Sequence, residues 1–279
     1  MRRVFTILLD AYWRFLDDDG WAIASHIALS TLTSLFPFLI FLTALAGFVG
    51  SKELADEAAR ILLEAWPAQV AQPIAGELHN VLTQTRGNVL TIGVVLAIYF
   101  ASNGVEALRI GLNRAYDLTE SRPFWLLRLE AIAYVLVGAA ALLALAFLVV
   151  LAPLIWAKAL DYVPALAPAE KYFTFARLAI ATVVLLVTLV LIHKWLPAGR
   201  RDLATIMPGI VFTFLVSIAG GEVFGAYLAE FAGNYVSTYA GLASVMVALI
   251  FLYAMAAIFV YGGQLNAAIV RAKRTSCAH

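Results

Sequence analysis

Charged residues and cysteine are both scarce in this chain of 279 residues. Asp, Glu, Lys and Arg make up 13% of the sequence, whereas they account for about 25% of an average soluble domain. The single cysteine, Cys277, can form no disulfide within the chain and holds no zinc ion by itself. These shortages exclude a disulfide-stapled fold and a cysteine-based metal centre.

The sequence also lacks the common enzyme motifs. It contains no P-loop, no dinucleotide-binding glycine fingerprint, no HExxH and no GxSxG. Its four histidines, His26, His79, His193 and His279, are scattered along the chain. We therefore expect no catalytic residue, no metal site, no cofactor and no nucleic-acid partner.

Long apolar runs are what the chain has instead. Hydrophobic residues form 63% of it, the mean hydropathy is +0.90, and residues 231–270 carry no charge. A membrane-spanning helix needs about 20 mostly apolar residues. The sequence therefore predicts an all-α integral membrane bundle of six transmembrane helices, over residues 22–49, 89–108, 131–157, 173–193, 205–228 and 240–270.

The positions of Lys and Arg predict the orientation of this bundle. Thirteen lie in the two termini and in the second and fourth loops, and five lie in the other loops. Because loops rich in Lys and Arg stay in the cytoplasm, both termini are predicted to be cytoplasmic.

The segments outside the spans are amphipathic. Residues 1–20 are predicted to form an interfacial helix that precedes a transmembrane domain over residues 21–279, with its apolar side chains at helical spacing: Phe5, Leu8, Leu9, Tyr12, Trp13 and Leu16. The alternative is that this helix packs on loops of its own bundle. The outer loop, residues 51–88, reads as two short amphipathic helices that cover the outer face.

Polar residues within the spans are candidates for a substrate path, because they are costly in lipid and face the protein interior. Ten are singled out: His26, Ser30, Pro37, Asn103, Glu106, Arg109, Asn113, Glu222, Gln264 and Asn266. The structural alternative is that hydroxyls and amides join helices, and that Glu106 and Arg109 form an ion pair at i, i+3.

Two glycine-containing segments add to these candidates. Gly221 and Gly225 form a close-packing motif around Glu222, which makes Glu222 a candidate for proton or cation coupling and the motif a candidate contact in a homo-oligomer. The alternative places Glu222 near the outer interface. Gly262 and Gly263 precede Gln264; either another helix approaches them closely, or the backbone kinks and exposes carbonyls.

Three segments of the chain resemble the YihY/BrkB family of bacterial inner-membrane proteins: residues 24–38, which begin Ala-Ser-His; residues 103–116, which begin Asn-Gly; and residues 239–266, which end Gly-Gly-Gln-Leu-Asn. The resemblance implies a six-span inner-membrane protein with cytoplasmic termini. Members were once labelled ribonuclease BN, a label widely regarded as a misassignment, and others were linked to serum resistance. Many members carry Glu where Gln264 stands, so this chain has either lost a coupling carboxylate there or uses the position for packing.

These observations favour a non-enzymatic inner-membrane protein that binds or transports an amphiphile, with membrane lipid as the first candidate. The second hypothesis is a structural or adaptor protein in which the polar groups only join helices and an envelope protein docks on the outer loop. The third is a tRNA-processing ribonuclease. Substrate, direction, energy source and oligomeric state are left open by the sequence.

Overall fold

A computed structural model describes residues 2–49, 89–148, 152–239 and 243–277, and within these ranges the protein is all-α with no strand. The predicted outer-loop helices between residues 51 and 88 lie outside this part of the chain. In order, the elements are α1 (Arg2–Asp17), α2 (Gly20–Val49), α3 (Val89–Ala115), α4 (Phe124–Ala146), α5 (Ala152–Tyr162), a 3₁₀ helix (Pro164–Ala169), α6 (Glu170–Trp195), α7 (Leu203–Tyr239) and α8 (Ala243–Cys277).

Five helices in the described ranges are long and apolar enough to cross a membrane. They cover Val94–Ala115, Phe124–Ala146, Leu166–Trp195, Leu203–Glu230 and Val245–Lys273. The all-helical membrane architecture is therefore confirmed. The first predicted span lies on α2, a helix of 30 residues that contains Pro37, and its crossing stays a prediction.

The third span differs from its predicted bounds, residues 131–157. The helix that carries it, α4, starts directly after Pro123 and ends at Ala146, and α5 is a separate helix. Pro153 lies in the first turn of α5, where proline is tolerated. The early start brings Arg128 and Glu130 into the helix, where other side chains pair with them.

Besides a small cluster that joins α1 to α8 through Ala11, Leu265 and Ala268, two larger apolar clusters hold the helices together. The cluster nearer the termini joins α2, α3 and α8 through Ile27, Leu112 and Val260. The second cluster lies further from the termini and joins the same helices to α4, through residues such as Leu39 and Val135.

Helix α6 buries a side chain only near its C-terminal end. His193 is its only buried residue, and its ring packs edge-on against Phe259 at 4.9 Å between centroids. Just beyond the helix, the Arg201 guanidinium donates to the carbonyls of His193 and Pro197 at 3.2 and 3.0 Å. The rest of α6 lies on the outside of the bundle.

Helix α1 confirms the amphipathic helix predicted for the N-terminus. It buries Ala11 and Phe15, and it is tied to α8 by a hydrogen bond from the Tyr261 hydroxyl to the Leu8 carbonyl at 3.0 Å. Large apolar side chains remain exposed on it, namely Val4, Phe5, Leu8, Leu9, Tyr12 and Trp13. The helix thus packs on its own bundle with one face and keeps a second apolar face free; its place in the membrane interface stays a prediction.

Helices α7 and α8 cross at very close range, which accounts for the glycines near the C-terminus. A Cβ added at Gly262 would lie 2.9 Å from the carbonyl oxygen of Gly209 and would also meet Thr213. A Cβ at Gly263 would lie 3.1 Å from the Cβ of Ala115 on α3. The close-approach interpretation of this glycine pair therefore holds.

We predict that Gly262→Ala destabilises the protein by about 1–3 kcal/mol, because the added methyl group overpacks the crossing. Gly225→Ala is the matched control, since a Cβ there would meet no described atom within 4 Å; it should be neutral or stabilising by up to about 1 kcal/mol. Thermal unfolding in detergent measures both. Equal effects of the two substitutions would show that the crossing is not tightly packed.

Candidate functional site

A network of charged and polar side chains, here called the polar seam, joins α3, the loop after it and α4. Its members are Ser102, Asn103, Glu106, Arg109, Asn113, Glu120, Arg122, Arg128 and Glu130. The loop between α3 and α4 folds back along α3 and brings Glu120 next to Arg109 and Asn113. Two helices and their connection thereby share one set of hydrogen bonds.

Glu120 lies at the centre of the polar seam. Arg122 donates to both of its carboxylate oxygens, at 2.9 and 2.8 Å, and Arg109 donates at 2.9 Å. Asn113 adds a fourth hydrogen bond at 3.1 Å. These donors, led by Arg122, hold the pKa of the Glu120 carboxyl well below its ordinary value. Glu120 is therefore ionised at neutral pH, and the seam is built around its charge.

Arg122 and Asn113 extend the seam to the end of α6. Arg122 also donates to Glu130 at 2.6 Å and to the carbonyl of Leu196 at 3.0 Å. The amide oxygen of Asn113 accepts the backbone N–H of Ala198 at 2.7 Å. The loop that follows α6 is thus fixed by polar side chains of α3 and of the α3–α4 loop.

The predicted pair of Glu106 with Arg109 is confirmed, with 3.3 Å between the carboxylate and guanidinium. Arg128 of α4 donates to the Ser102 hydroxyl at 2.6 Å and to the amide oxygen of Asn103 at 2.9 Å. Four of the ten predicted residues therefore belong to the polar seam: Asn103, Arg109 and Asn113 join α3 to its neighbours, and Glu106 pairs with Arg109 on α3 itself.

Gln264 and Asn266 are almost fully buried and bridge other segments. The Gln264 amide donates to the Asp18 carboxylate, between α1 and α2, at 2.7 Å. The Asn266 oxygen accepts the backbone N–H of Gly209 at 2.7 Å, and its amide donates to the Tyr116 hydroxyl at 3.1 Å. Burial raises the pKa of Tyr116 to about 12, so this hydroxyl stays protonated.

Asn113, Gln264 and Asn266 therefore lie at the end of the bundle where α1 meets α8. Each of these side chains joins two segments of the protein. The helix-joining interpretation describes their observed contacts, and their part in a substrate path stays a prediction.

Four other predicted residues lie apart from this group. His26 and Glu222 are exposed, and Ser30 and Pro37 are half-buried. A Cβ at Gly221 or Gly225 would meet none of the described atoms within 4 Å. The expected close-packing motif of Gly221 and Gly225 is therefore not in contact with another described helix; the described glycines of α7 that meet α8 are Gly209 and Gly220.

A cavity of about 390 Å³ lies between α2, α3, α4, α6 and α8. Its polar lining consists of Thr31, Ser34, Tyr134 and Thr188. Ser34 and Thr188 donate to carbonyls of their own helices, and the Tyr134 hydroxyl lies 3.4 Å from the Leu191 carbonyl. Since three of these four hydroxyls are already engaged and the rest of the lining is apolar, the cavity suits hydrocarbon better than a polar solute.

None of the ten predicted residues lines this cavity. The sequence analysis missed it because the lining residues are ordinary apolar side chains of the spans. One signal was available: Gly138 interrupts an apolar helix, and a Cβ added there would meet no described atom within 4 Å. Gly138 lines the cavity and so leaves one wall of it unfilled.

The described residues include no group of three or more His, Cys, Asp or Glu placed to hold a metal ion. The candidate site thus consists of two parts: an apolar cavity, and a polar seam near its end closest to the termini. Leu196 connects them, because it lines the cavity and its carbonyl accepts from Arg122.

We predict that Glu120→Gln lowers the thermal stability at neutral pH and reduces its dependence on acid. Because the pKa of Glu120 is lowered in the folded protein, its stabilising effect is present above the ordinary value of 4.5 and is lost as the pH falls below it. Unfolding midpoints measured from neutral pH down to about pH 3 test this. Glu170→Gln, an exposed acidic residue at the start of α6, is the control, and an identical acid profile in both variants would contradict the prediction.

Comparison with known proteins identifies the family. The model of the family described as Virulence factor BrkB matches residues 11–278. The chain is 28% identical to the ribonuclease-like protein YfkH of Bacillus subtilis (strain 168) over 269 residues, which is 96% of this chain and 97% of that protein. No solved structure matches it. The chain therefore belongs to the Virulence factor BrkB family, also known as the YihY family, of multi-pass membrane proteins.

Proposed function

We propose that this protein is a non-enzymatic inner-membrane protein that binds and moves an amphiphile, with a membrane lipid as the substrate class. The observation that carries the proposal is the apolar cavity of about 390 Å³ inside the bundle. Its volume lies within the range of about 300–1,000 Å³ typical of small-molecule sites. An alkyl chain satisfies such a lining, whereas an ion or a sugar would lose hydrogen bonds to water there without replacement.

The packing of α6 supports a route into this cavity from the lipid. Thr188, Leu191 and Ile192 of α6 form one wall, yet α6 buries only His193. On the facing helix, Val137 lines the cavity and is still 44% exposed. A lipid alkyl chain that enters between α4 and α6 has few side-chain contacts to displace.

Filling the cavity at Gly138 tests the proposal. Gly138→Leu places a side chain in open space on the cavity wall, so we expect it to exclude an acyl chain without strain in the bundle. Gly225→Leu is the matched control, because it makes the same exchange in a membrane helix at a glycine with equally open surroundings that does not line the cavity.

The measurement uses the full-length protein in lipid nanodiscs. The probe is a phosphatidylethanolamine with a photoreactive group in one acyl chain, and mass spectrometry maps the crosslinks. We expect adducts on residues such as Tyr134 and Leu191 in the unmodified protein and in Gly225→Leu, and a loss of about tenfold in Gly138→Leu. In vesicles, the rate of fluorescent-lipid transfer should likewise be similar for the unmodified protein and Gly225→Leu and lower for Gly138→Leu. Equal crosslinking in all three proteins would overturn the proposal.

A structural or adaptor role is the second candidate. It is favoured by the contacts of Asn113, Gln264 and Asn266, each of which joins segments of the bundle. Chemical crosslinking that traps an envelope protein in fixed ratio, together with no lipid transfer in vesicles, would support it. The name of YfkH also suggests a ribonuclease assay, in which cleavage of tRNA by protein free of contaminating nuclease would replace both proposals.

A further inference from the structure

Arg128 differs from the other two arginines of the polar seam in its partners. Arg109 and Arg122 each pair with carboxylates, at 2.6–3.3 Å. Arg128 forms no ion pair with any described residue, and its interactions are with the neutral groups of Ser102 and Asn103 and with two aromatic rings. Its positive charge is therefore not neutralised within the described part of the protein.

The guanidinium of Arg128 is held in a fixed position with one side free. Its Nη1 donates to both Ser102 and Asn103, and its carbon lies 4.1 Å from the ring centre of Tyr99 and 5.7 Å from that of Phe124. The Nε is buried without a partner. The Nη2 donates to none of the described residues and is not among the fully buried atoms, so its donors are available to a ligand.

The surroundings place this group at the border between hydrocarbon and headgroups. Arg128 is the fifth residue of α4, about 6 Å along the axis from its first residue. Phe124 and Trp125, at the start of the helix, are 67% and 64% exposed, as is typical of aromatic side chains at a membrane interface. Tyr99 is 42% exposed as well. A long arginine side chain at this depth reaches the level of lipid phosphates.

We propose that Arg128, positioned by Ser102 and Asn103 and flanked by Tyr99 and Phe124, binds the phosphodiester of an anionic membrane lipid in the leaflet nearest the chain termini. The planar guanidinium suits phosphate oxygens and forms charge-assisted hydrogen bonds with them. The exposed aromatic rings beside it provide an apolar surface for the glycerol and acyl portions of the lipid. Both features favour a lipid over free phosphate.

This site is separate from the proposed cavity. The cavity uses Ala101, Gly104 and Val105 of α3, whereas Arg128 contacts Ser102 and Asn103. Because successive residues of a helix are turned by about 100°, these sets face different directions. The site at Arg128 goes beyond the proposed function, and Gly138→Leu should leave it intact.

The test compares full-length protein in nanodiscs of phosphatidylcholine alone and of phosphatidylcholine mixed with phosphatidylglycerol. After transfer to detergent, native mass spectrometry counts the phosphatidylglycerol molecules retained by each variant. We expect Arg128→Gln to lose about tenfold in affinity for phosphatidylglycerol, as expected for loss of charge-assisted hydrogen bonds. Arg128→Lys should lose less, because it keeps the charge but not the planar donor pair.

Lys194→Gln is the matched control. Lys194 is also a cation next to an exposed aromatic residue, with its ammonium 4.8 Å from the ring centre of Trp195. A general attraction to an anionic surface is screened by salt, so any effect of Lys194→Gln should disappear at high salt while that of Arg128→Gln persists. Equal, salt-sensitive losses in both variants would overturn the site.

Two further measurements complete the test. If Arg128→Gln fails to fold, Ser102→Ala and Arg128→Lys replace it, since both leave the chain with its positive charge; unchanged phosphatidylglycerol retention in both would overturn the proposal. An excess of inorganic phosphate is added to the unmodified protein. Retention that does not change supports the lipid as ligand, whereas displacement of phosphatidylglycerol by inorganic phosphate would overturn the lipid assignment.

Discussion

The absence of hydrogen-bond partners in lipid is the constraint on which the rest of this structure depends. Backbone groups within the membrane must be paired inside the protein, and a buried polar side chain costs free energy unless it has a partner. Glu120 shows the consequence, because Arg109, Asn113 and Arg122 all converge on its carboxylate. Through Arg122 and Asn113 the same network fixes the end of α6. The end of the bundle that carries the termini is thus joined by side-chain hydrogen bonds, whereas the remainder depends on packing.

That division explains why α6 and the cavity occur together. Polar side chains fasten α6 at Leu196 and Ala198, and Arg201 secures its last carbonyls. Along the rest of its length α6 buries no side chain, and its apolar residues are as well accommodated by lipid as by protein. Gly138 leaves further space on the facing helix. A helix that is largely unburied, beside an unfilled apolar space, is the arrangement on which the proposed function rests.

Much of this architecture could be predicted from the sequence. Apolar runs predicted the helices, helical spacing predicted α1, and the i, i+3 spacing predicted the pair of Glu106 and Arg109. These predictions depend on local sequence patterns. They are less accurate where contacts with residues far away in the sequence determine helix bounds and helix crossings. Arg128 and Glu130 fall outside the predicted third span, yet both lie on α4. There Arg128 donates to Ser102, and Glu130 accepts from Arg122. Glu222 was expected at a helix crossing, whereas the close crossing of α7 lies at Gly209 and Gly262.

The sequence by itself determined that this is an all-helical membrane protein, because hydrocarbon selects long apolar helices whatever their neighbours are. It also determined which side chains would need partners. Only the tertiary structure decided which residues those partners are. Gln264 pairs with Asp18, and Asn266 pairs with Gly209 and Tyr116. Arg128 pairs with neutral groups and not with a carboxylate. The physical reason is that hydrogen bonds and cavities depend on distances between helices that are far apart in sequence.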